Sequence, residues 1–447
     1  MVTRKEATKK ALEMAGLEQE EITRTIQRFV DKKDLAKQIL EIHPFFYDKY
    51  KIWWSWNHQE FKWEIVDETD ILNMVDKTCE GIDTINSKEK NEILEALRQV
   101  SREYMPKPIK PTWIQFKDKI FDIENGEELM ASPEYLATNP IPYSLHKDNF
   151  IETPEMDRIF EEWVGKEHVK TLYEIIAYCL LPNYPIHRIF CFLGSGMNGK
   201  SKYLELLRKF IGNGNCCSTE LDTLLQSRFE VTRLHKKLVC QMGETNFNEM
   251  NKTSILKKLS GGDLIGFEYK NKNPFEEKNY AKIIIATNNL PTTTDKTIGF
   301  YRRWCLIDFP NQFSEKKDIL EEIPEEEYES LAVKCCFILK DLLDKREFTN
   351  EGTIEERKER YESKSNFLEK FINDFVDEDP NGYITKHDFF KKFKDWSHEN
   401  RHREMSEKSL GMAMKKLQVE NAVKRFDWMN DGRGGTARCW IGIKWKE

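Results

Sequence analysis

The segment "GSGMNGKS", from Gly194 to Ser201, limits the possible folds more than any other stretch of the chain. It follows an apolar run, "HRIFCFL", and precedes an amphipathic one, "KYLELLRKFIG". Strand, glycine-rich turn and helix in that order form a phosphate-binding loop, so the pattern predicts an α/β core built on a parallel sheet. Gly194, Gly196 and Gly199 let the backbone curl its N–H groups around phosphate oxygens, with Asn198 inside the same turn. The following helix adds the positive end of its dipole. Lys200 is then placed to reach the β- and γ-phosphates of ATP, and the Ser201 hydroxyl to hold Mg²⁺.

Two later strands end in polar residues that suit the same chemistry. "KLVCQMGETN" brings Glu244 to the end of an apolar run, where a carboxylate orients either Mg²⁺ or the attacking water. Gly243 precedes it where many such ATPases carry a second acid, and the division of labour stays open. "AKIIIATNNLP" ends at Asn288, placed to hydrogen-bond the γ-phosphate or the water, although an Asn before Pro291 also suits a turn. In "IGFYRRWCLIDF", Arg302 and Arg303 precede an apolar strand, from which an arginine reaches nucleotide only in an adjacent subunit. Between these elements, "ILKKLSGGDLIGFEYKNKNPFEEK" sets Lys258, Lys270 and Lys272 around a hairpin-like segment.

Charge and cysteine usage bear on partners and compartment. The net charge of the 447 residues is −7, yet residues 381–447 hold 15 Lys and Arg against 9 Asp and Glu. A phosphate backbone responds to that local excess. Ten cysteines without a CxxC pair or metal-ligand spacing fit reduced thiols in a cytosol-like compartment. No apolar run is long enough to span a bilayer, and "MVTRKEATKK" lacks the apolar stretch of a signal peptide.

The chain divides by pattern into a helical arm (1–45), a mixed α/β region (46–155), the nucleotide core (156–320), a helical lid or linker (321–370) and a basic C-terminal unit (371–447). In the second of these, "YKIWWSWNHQEFKWEIV" reads as a hairpin, and "TWIQFKDKIFDIENGEEL" as short strands with an Asn125-Gly126 turn.

Taken in series, "GSGMNGKS", the strand ending at Glu244, "KKLSGGD", "ATNNLP" and "GFYRRW" resemble superfamily 3 helicases. More narrowly, they resemble the branch containing the poxvirus primase-helicase and the C-terminal half of satellite-phage and plasmid primases. The C-terminal stretch from "YITKHDFF" to "CWIGIKW" is similar to the winged helix of that branch. The resemblance implies an AAA+ fold, a hexameric homo-oligomeric ring, Mg-ATP hydrolysis and 3′ to 5′ movement on single-stranded and forked DNA. It makes Glu244 the Walker B acid, Asn288 the sensor, and Arg302 or Arg303 the finger acting in trans. Lys270 and Lys272 then face DNA in the channel, although Glu268 stands where many relatives carry a basic residue. In the winged helix, Lys408, Lys415 and Lys416 lie on the helix that enters a DNA groove. No pair of catalytic carboxylates for primer synthesis is evident upstream, so a primase belongs on another chain or another segment. An alternative class fits the same residues: an ATP-controlled initiator or ring platform that recruits a primase without processive unwinding.

Overall fold

The computed structural model describes residues 19–78, 87–145, 152–243, 249–250, 252–314, 318–399, 405–426 and 435–446. Its centre is a five-stranded sheet formed by β1 (Ile189–Leu193), β2 (Cys216–Ser218), β3 (Val239–Met242), β4 (Lys282–Thr287) and β5 (Trp304–Asp308), in the order β5-β1-β4-β3-β2. Every neighbouring pair is parallel. Both faces of the sheet are therefore covered, as parallel sheets require. Alternate residues of β1 serve opposite cores: Phe190 and Phe192 pack with helices 166–179, 200–211 and 325–345, while Ile189, Cys191 and Leu193 pack on the other face. Tyr361, fully buried on helix Ile354–Ser365, closes that second face against Phe300, Tyr301 and Trp304.

The strands expected in 189–193, 239–242 and 282–287 are all present, and the parallel α/β core agrees with the fold read from the sequence. The edge strand β2 was not foreseen. Three residues carry no periodicity, and Cys217 pairs with Cys240 only through the tertiary fold.

Upstream, helix Gln19–Ile42 packs by Ala36, Ile39 and Leu40 onto Phe45, Trp53, Ile71, Ile93 and Leu97. The expected hairpin is Trp53–Asn57 against Lys62–Val66, and Phe45–Tyr47 adds a third strand. Strands Trp113–Phe116, Lys119–Asp122 and Glu128–Met130 form a second antiparallel meander. Its turn uses Gly126 at φ +76°.

The C-terminal unit runs helix Phe367–Phe375, strand Val376–Thr385, helices Lys386–Glu399 and Glu407–Lys416, then strands Asn421–Phe426 and Gly435–Trp445. The last strand lies between the other two. Phe371, Phe389, Phe393, Leu410, Met414 and Trp440 form its own core. Among the described residues, no helix is long and apolar enough to cross a membrane.

Candidate active site

The phosphate-binding loop connects β1 to helix Lys200–Ile211, so strand, loop and helix stand as the sequence predicts. Two glycines are required by what surrounds them. A Cβ on Gly199 would lie 2.5 Å from the Trp163 indole, and its φ of +91° is left-handed. A Cβ on Gly194 would fall 2.7 Å from the Phe309 carbonyl and on top of the Asn198 amide. Gly196 also has positive φ, at +102°, in open space.

Asn198 is 3% exposed and donates from Nδ2 to the Phe309 carbonyl at 3.1 Å, tying the loop to the chain leaving β5. That same stretch continues over the loop. Phe313 N donates to the Met197 carbonyl at 2.7 Å, and Gln312 Nε2 to Ser195 Oγ at 3.2 Å.

Lys200, 7% exposed, donates to the Gly194 carbonyl at 2.6 Å, to Asn198 Oδ1 at 2.9 Å and to Asn288 Oδ1 at 3.2 Å. The sheet order explains the last contact. Because β4 is inserted between β1 and β3, its C-terminal tip brings Asn288 beside the loop that follows β1. Residues 88 apart in sequence thus share one ammonium. Ser201 is exposed at the start of the helix. Glu244 lies outside the described residues; β3, which leads to it, runs beside β4 and ends at Met242. No cluster of three or more metal-binding side chains occurs among the described residues.

Arg302 and Arg303 stand at the opposite end of the strands, just before β5 begins. In the register of β5 with β1, Trp304 faces Ile189 and Asp308 faces Leu193, so both arginines precede the start of the strand whose far end carries the loop. At about 3.3 Å per residue, they are roughly 17 Å from the loop of their own chain. Their surroundings differ. Arg303 is 8% exposed, with Nε donating to Ser260 Oγ at 3.1 Å, Nη2 to the Lys257 carbonyl at 3.3 Å and Nη1 to the Gly299 carbonyl. Burial, then the neighbouring Arg302 charge, lowers its pKa. Arg302 is only partly buried and donates to His187 Nδ1 at 3.5 Å. Burial and the charges of Arg302, Arg303 and Arg188 depress the His187 pKa.

The segment carrying the central lysines is a hairpin, Leu264–Phe267 paired with Phe275–Lys278. Lys258, on the short helix Ser254–Leu259, and Lys270, at the hairpin tip, are exposed, whereas Lys272 is half-buried. The tip is held by the N-terminal region of the same chain: Asn273 N donates to the Tyr50 carbonyl at 3.1 Å, and the Tyr50 and Phe275 rings lie 4.7 Å apart. At its base, Glu277 binds Lys236 and His235. Burial would raise the Glu277 pKa, but the His235 hydrogen bond and the Lys236 charge outweigh it and hold it at about 2.

In the C-terminal unit, Lys408 and Lys415 are exposed on helix Glu407–Lys416 with Met412 between them. The side chain of Lys416 lies outside the described set. The structure also shows features that the sequence reading missed. Trp163 lies beneath Gly199, the 309–313 stretch crosses the loop, and Lys386 lies over the Trp440 ring. None of these carries a local signal, because each depends on partners dozens of residues away.

Residues 36–166 match a family described as D5 N terminal like, and residues 192–303 match a family of unknown function, DUF5906. A curated protein of Acanthamoeba polyphaga mimivirus, named "Putative helicase L207/L206", is 25% identical over 329 residues, or 64% of this chain. The chain spans about a third of that relative's length, 33%. It is thus similar to a helicase-like viral protein. Among solved structures, the apo NrS-1 C terminal region in its A form covers 91% of this chain and 98% of its own at 13% identity, with TM-score 0.47. A second apo structure of NrS-1 residues 305–718 covers 92% and 99% at 16% identity, with TM-score 0.48.

Proposed function

We propose that the chain is the ATP-driven motor of a DNA replication helicase, of superfamily 3 and AAA+ type, acting as a hexameric ring alongside a primase. The observation that carries the reading is the 3.2 Å contact between Lys200 and Asn288. A strand-tip amide that touches the loop lysine stands where it reports whether a γ-phosphate is present, and this links phosphate chemistry to the position of β4.

The cradle fits ATP with Mg²⁺. It has a buried ammonium, a loop that excludes side chains at Gly194 and Gly199, and a hydroxyl, Ser201, exposed at the helix start. Ser201 and Glu244 would hold the ion, which when bound offsets negative charge on the β- and γ-phosphates. On ATP binding, Lys200 exchanges its internal oxygen partners for phosphate oxygens, and Asn288 is released to bind the γ-phosphate or the attacking water. Loss of that phosphate returns Asn288 to Lys200. Lys258, Lys270 and Lys272 line the path of single-stranded DNA, and the helix-strand-helix-helix-strand-strand order of the C-terminal unit fits a winged helix.

Arg302 is the finger acting in trans. Arg303 is consumed by Ser260, Gly299 and Lys257 within its own chain, and neither arginine can reach its own loop. The test mixes two inactive variants, Arg302→Ala and Lys200→Ala. A shared site returns part of the DNA-stimulated ATP turnover, because some interfaces then combine an intact loop with an intact finger. No recovery at any ratio, with assembly of mixed rings verified, contradicts the trans assignment.

A further inference from the structure

The short helix Ser254–Leu259 and the hairpin that follows it are packed as one unit. Leu256 and Leu259 share a core with Ile265, Phe267 and Phe275. The turn between helix and hairpin has no slack, since a Cβ on Gly261 would lie 2.5 Å from the Lys257 carbonyl. Where the hairpin ends, Asn279, 4% exposed, donates back to the Leu259 carbonyl at 2.8 Å. The chain then enters β4, and beyond its tip stands Asn288.

After Asn288 the chain turns back and grips that unit. Thr292 and Thr293 pair in parallel with Glu249 and Met250, just ahead of the helix. Asp295 follows, with its side chain only 12% exposed. One of its carboxylate oxygens accepts from Lys257 Nζ at 2.7 Å and from the Thr253 hydroxyl; the other accepts from Thr297 N at 3.1 Å and Thr297 Oγ1 at 2.6 Å. Burial would raise the Asp295 pKa, but the hydrogen bonds from Lys257, Thr253 and Thr297 outweigh it and hold the carboxyl well below the usual range. Arg303 takes the other end of the helix, through Ser260 Oγ and the Lys257 carbonyl. On its far side the same segment is tied to helix Ile354–Ser365, where the Tyr361 hydroxyl donates to the Pro291 carbonyl at 2.9 Å and the Tyr301 hydroxyl to Glu362 at 2.8 Å. A segment held on both sides passes a displacement on instead of absorbing it.

We infer that Asp295 is a positioning residue which, by clasping Thr253 and Lys257, joins the Asn288 tip to the hairpin unit, so that the γ-phosphate state sets where Lys258, Lys270 and Lys272 stand. This rests on the motor proposed above and assigns the residues through which single-stranded DNA regulates its nucleotide site. The adjacent lysines divide the work. Lys257 is turned to Asp295, while Lys258 is exposed on the same helix. An exposed ion pair contributes little to stability, but this acid is enclosed and joins two segments separated by 42 positions. The coupling is reciprocal: whatever factor bound ATP adds to DNA affinity, bound DNA adds to ATP affinity.

The test reads two quantities on the full chain: ATP turnover with and without single-stranded DNA, and affinity for a fluorescent oligothymidylate with and without a non-hydrolysable ATP analogue and Mg²⁺. Asp295→Asn and Lys257→Met should keep basal turnover. Both should lose most of the DNA stimulation and most of the analogue's effect on DNA affinity, a coupling on the order of 10-fold in the unmutated chain. Lys257→Arg should retain both responses, and the double variant should be no worse than either single one, because the pair acts as a unit. Thermal melting checks folding; should Asp295→Asn unfold, Lys257→Met, at a side chain 31% exposed, carries the test. Turnover that falls by the same factor with and without DNA, or variants that respond to DNA as the unmutated chain does, overturns the clasp while sparing the motor. An unmutated chain without ATP turnover refutes the motor. In that case an analogue effect on DNA affinity that Asp295→Asn abolishes supports the clasp, and the lack of any analogue effect overturns it as well.

Discussion

Two groups of cations in this chain are treated in opposite ways. At the phosphate-binding loop, Lys200 is enclosed by oxygens from its own loop and from β4. In the C-terminal unit, Lys386 lies 3.9 Å from the centre of the Trp440 ring, and burial, then the Arg438 and Lys415 charges, lower its pKa. The first arrangement is a stable resting state whose partners must be exchanged for ligand, so binding there moves protein groups. The second rests a cation on an aromatic face that belongs to the unit's own core. One suits a switch, and the other a fixed position.

The arginine pair shows the same contrast at closer range, and the largest predicted effects come from separating its members. Lys200→Ala and Arg302→Ala should each lower ATP turnover on the order of 1,000-fold, with a melting temperature close to that of the unmutated chain. Arg303→Ala should act first on stability. It leaves the buried Ser260 hydroxyl and two part-buried carbonyls without their donor, at a cost of about 2–3 kcal/mol by denaturant unfolding. Reversal of these two patterns would exchange the roles of the arginines.

Asn288→Ala sharpens the switch side of the comparison. Turnover should fall roughly 100-fold, while ATP analogue binding, which depends chiefly on the loop and Lys200, changes far less. Next in size is Gly199→Ala, which must fit a methyl against the Trp163 ring in a left-handed backbone. It should cost about 3 kcal/mol and weaken nucleotide binding by distorting the loop. Gly196→Ala, with open space around it, should cost less.

The smallest effect concerns acid stability at the hairpin base. Glu277 is held at about 2 against an ordinary value of 4.5, through the His235 hydrogen bond and the Lys236 charge. A carboxyl whose folded pKa is depressed stabilises the fold above its unfolded value, and that stability disappears as pH falls from about 4.5 towards 2. The side chain is 39% exposed, so solvent screening keeps the gain modest. Glu277→Gln should lower the melting temperature slightly at pH 7 and flatten its decline between pH 5 and 3. A decline as steep as that of the unmutated chain would remove Glu277 from the acid response.

Much of the architecture was legible because it is local. Strand, loop and helix at 189–211 follow from apolar periodicity and three glycines, as do the hairpin at 53–66 and the meander around Gly126. The strand order was not legible, since nothing within "AKIIIATN" says that it inserts between β1 and β3. Arg302 and Arg303 were indistinguishable for a related reason. Adjacent residues share a sequence context, yet one turns inward to Ser260 and the other towards His187. The contact of Lys386 with Trp440 depends on a strand returning to pack beside a helix 54 positions earlier in the chain. Charge counting found the region but not that contact.

The most direct test of the motor is strand displacement on two forked duplexes, one with only a 3′ tail and one with only a 5′ tail, using Mg-ATP. The unmutated chain should release the strand from the 3′-tailed fork alone, and Lys200→Ala should release neither. ATP-dependent DNA binding without release from either fork would contradict the motor and leave a platform that uses ATP to assemble on DNA.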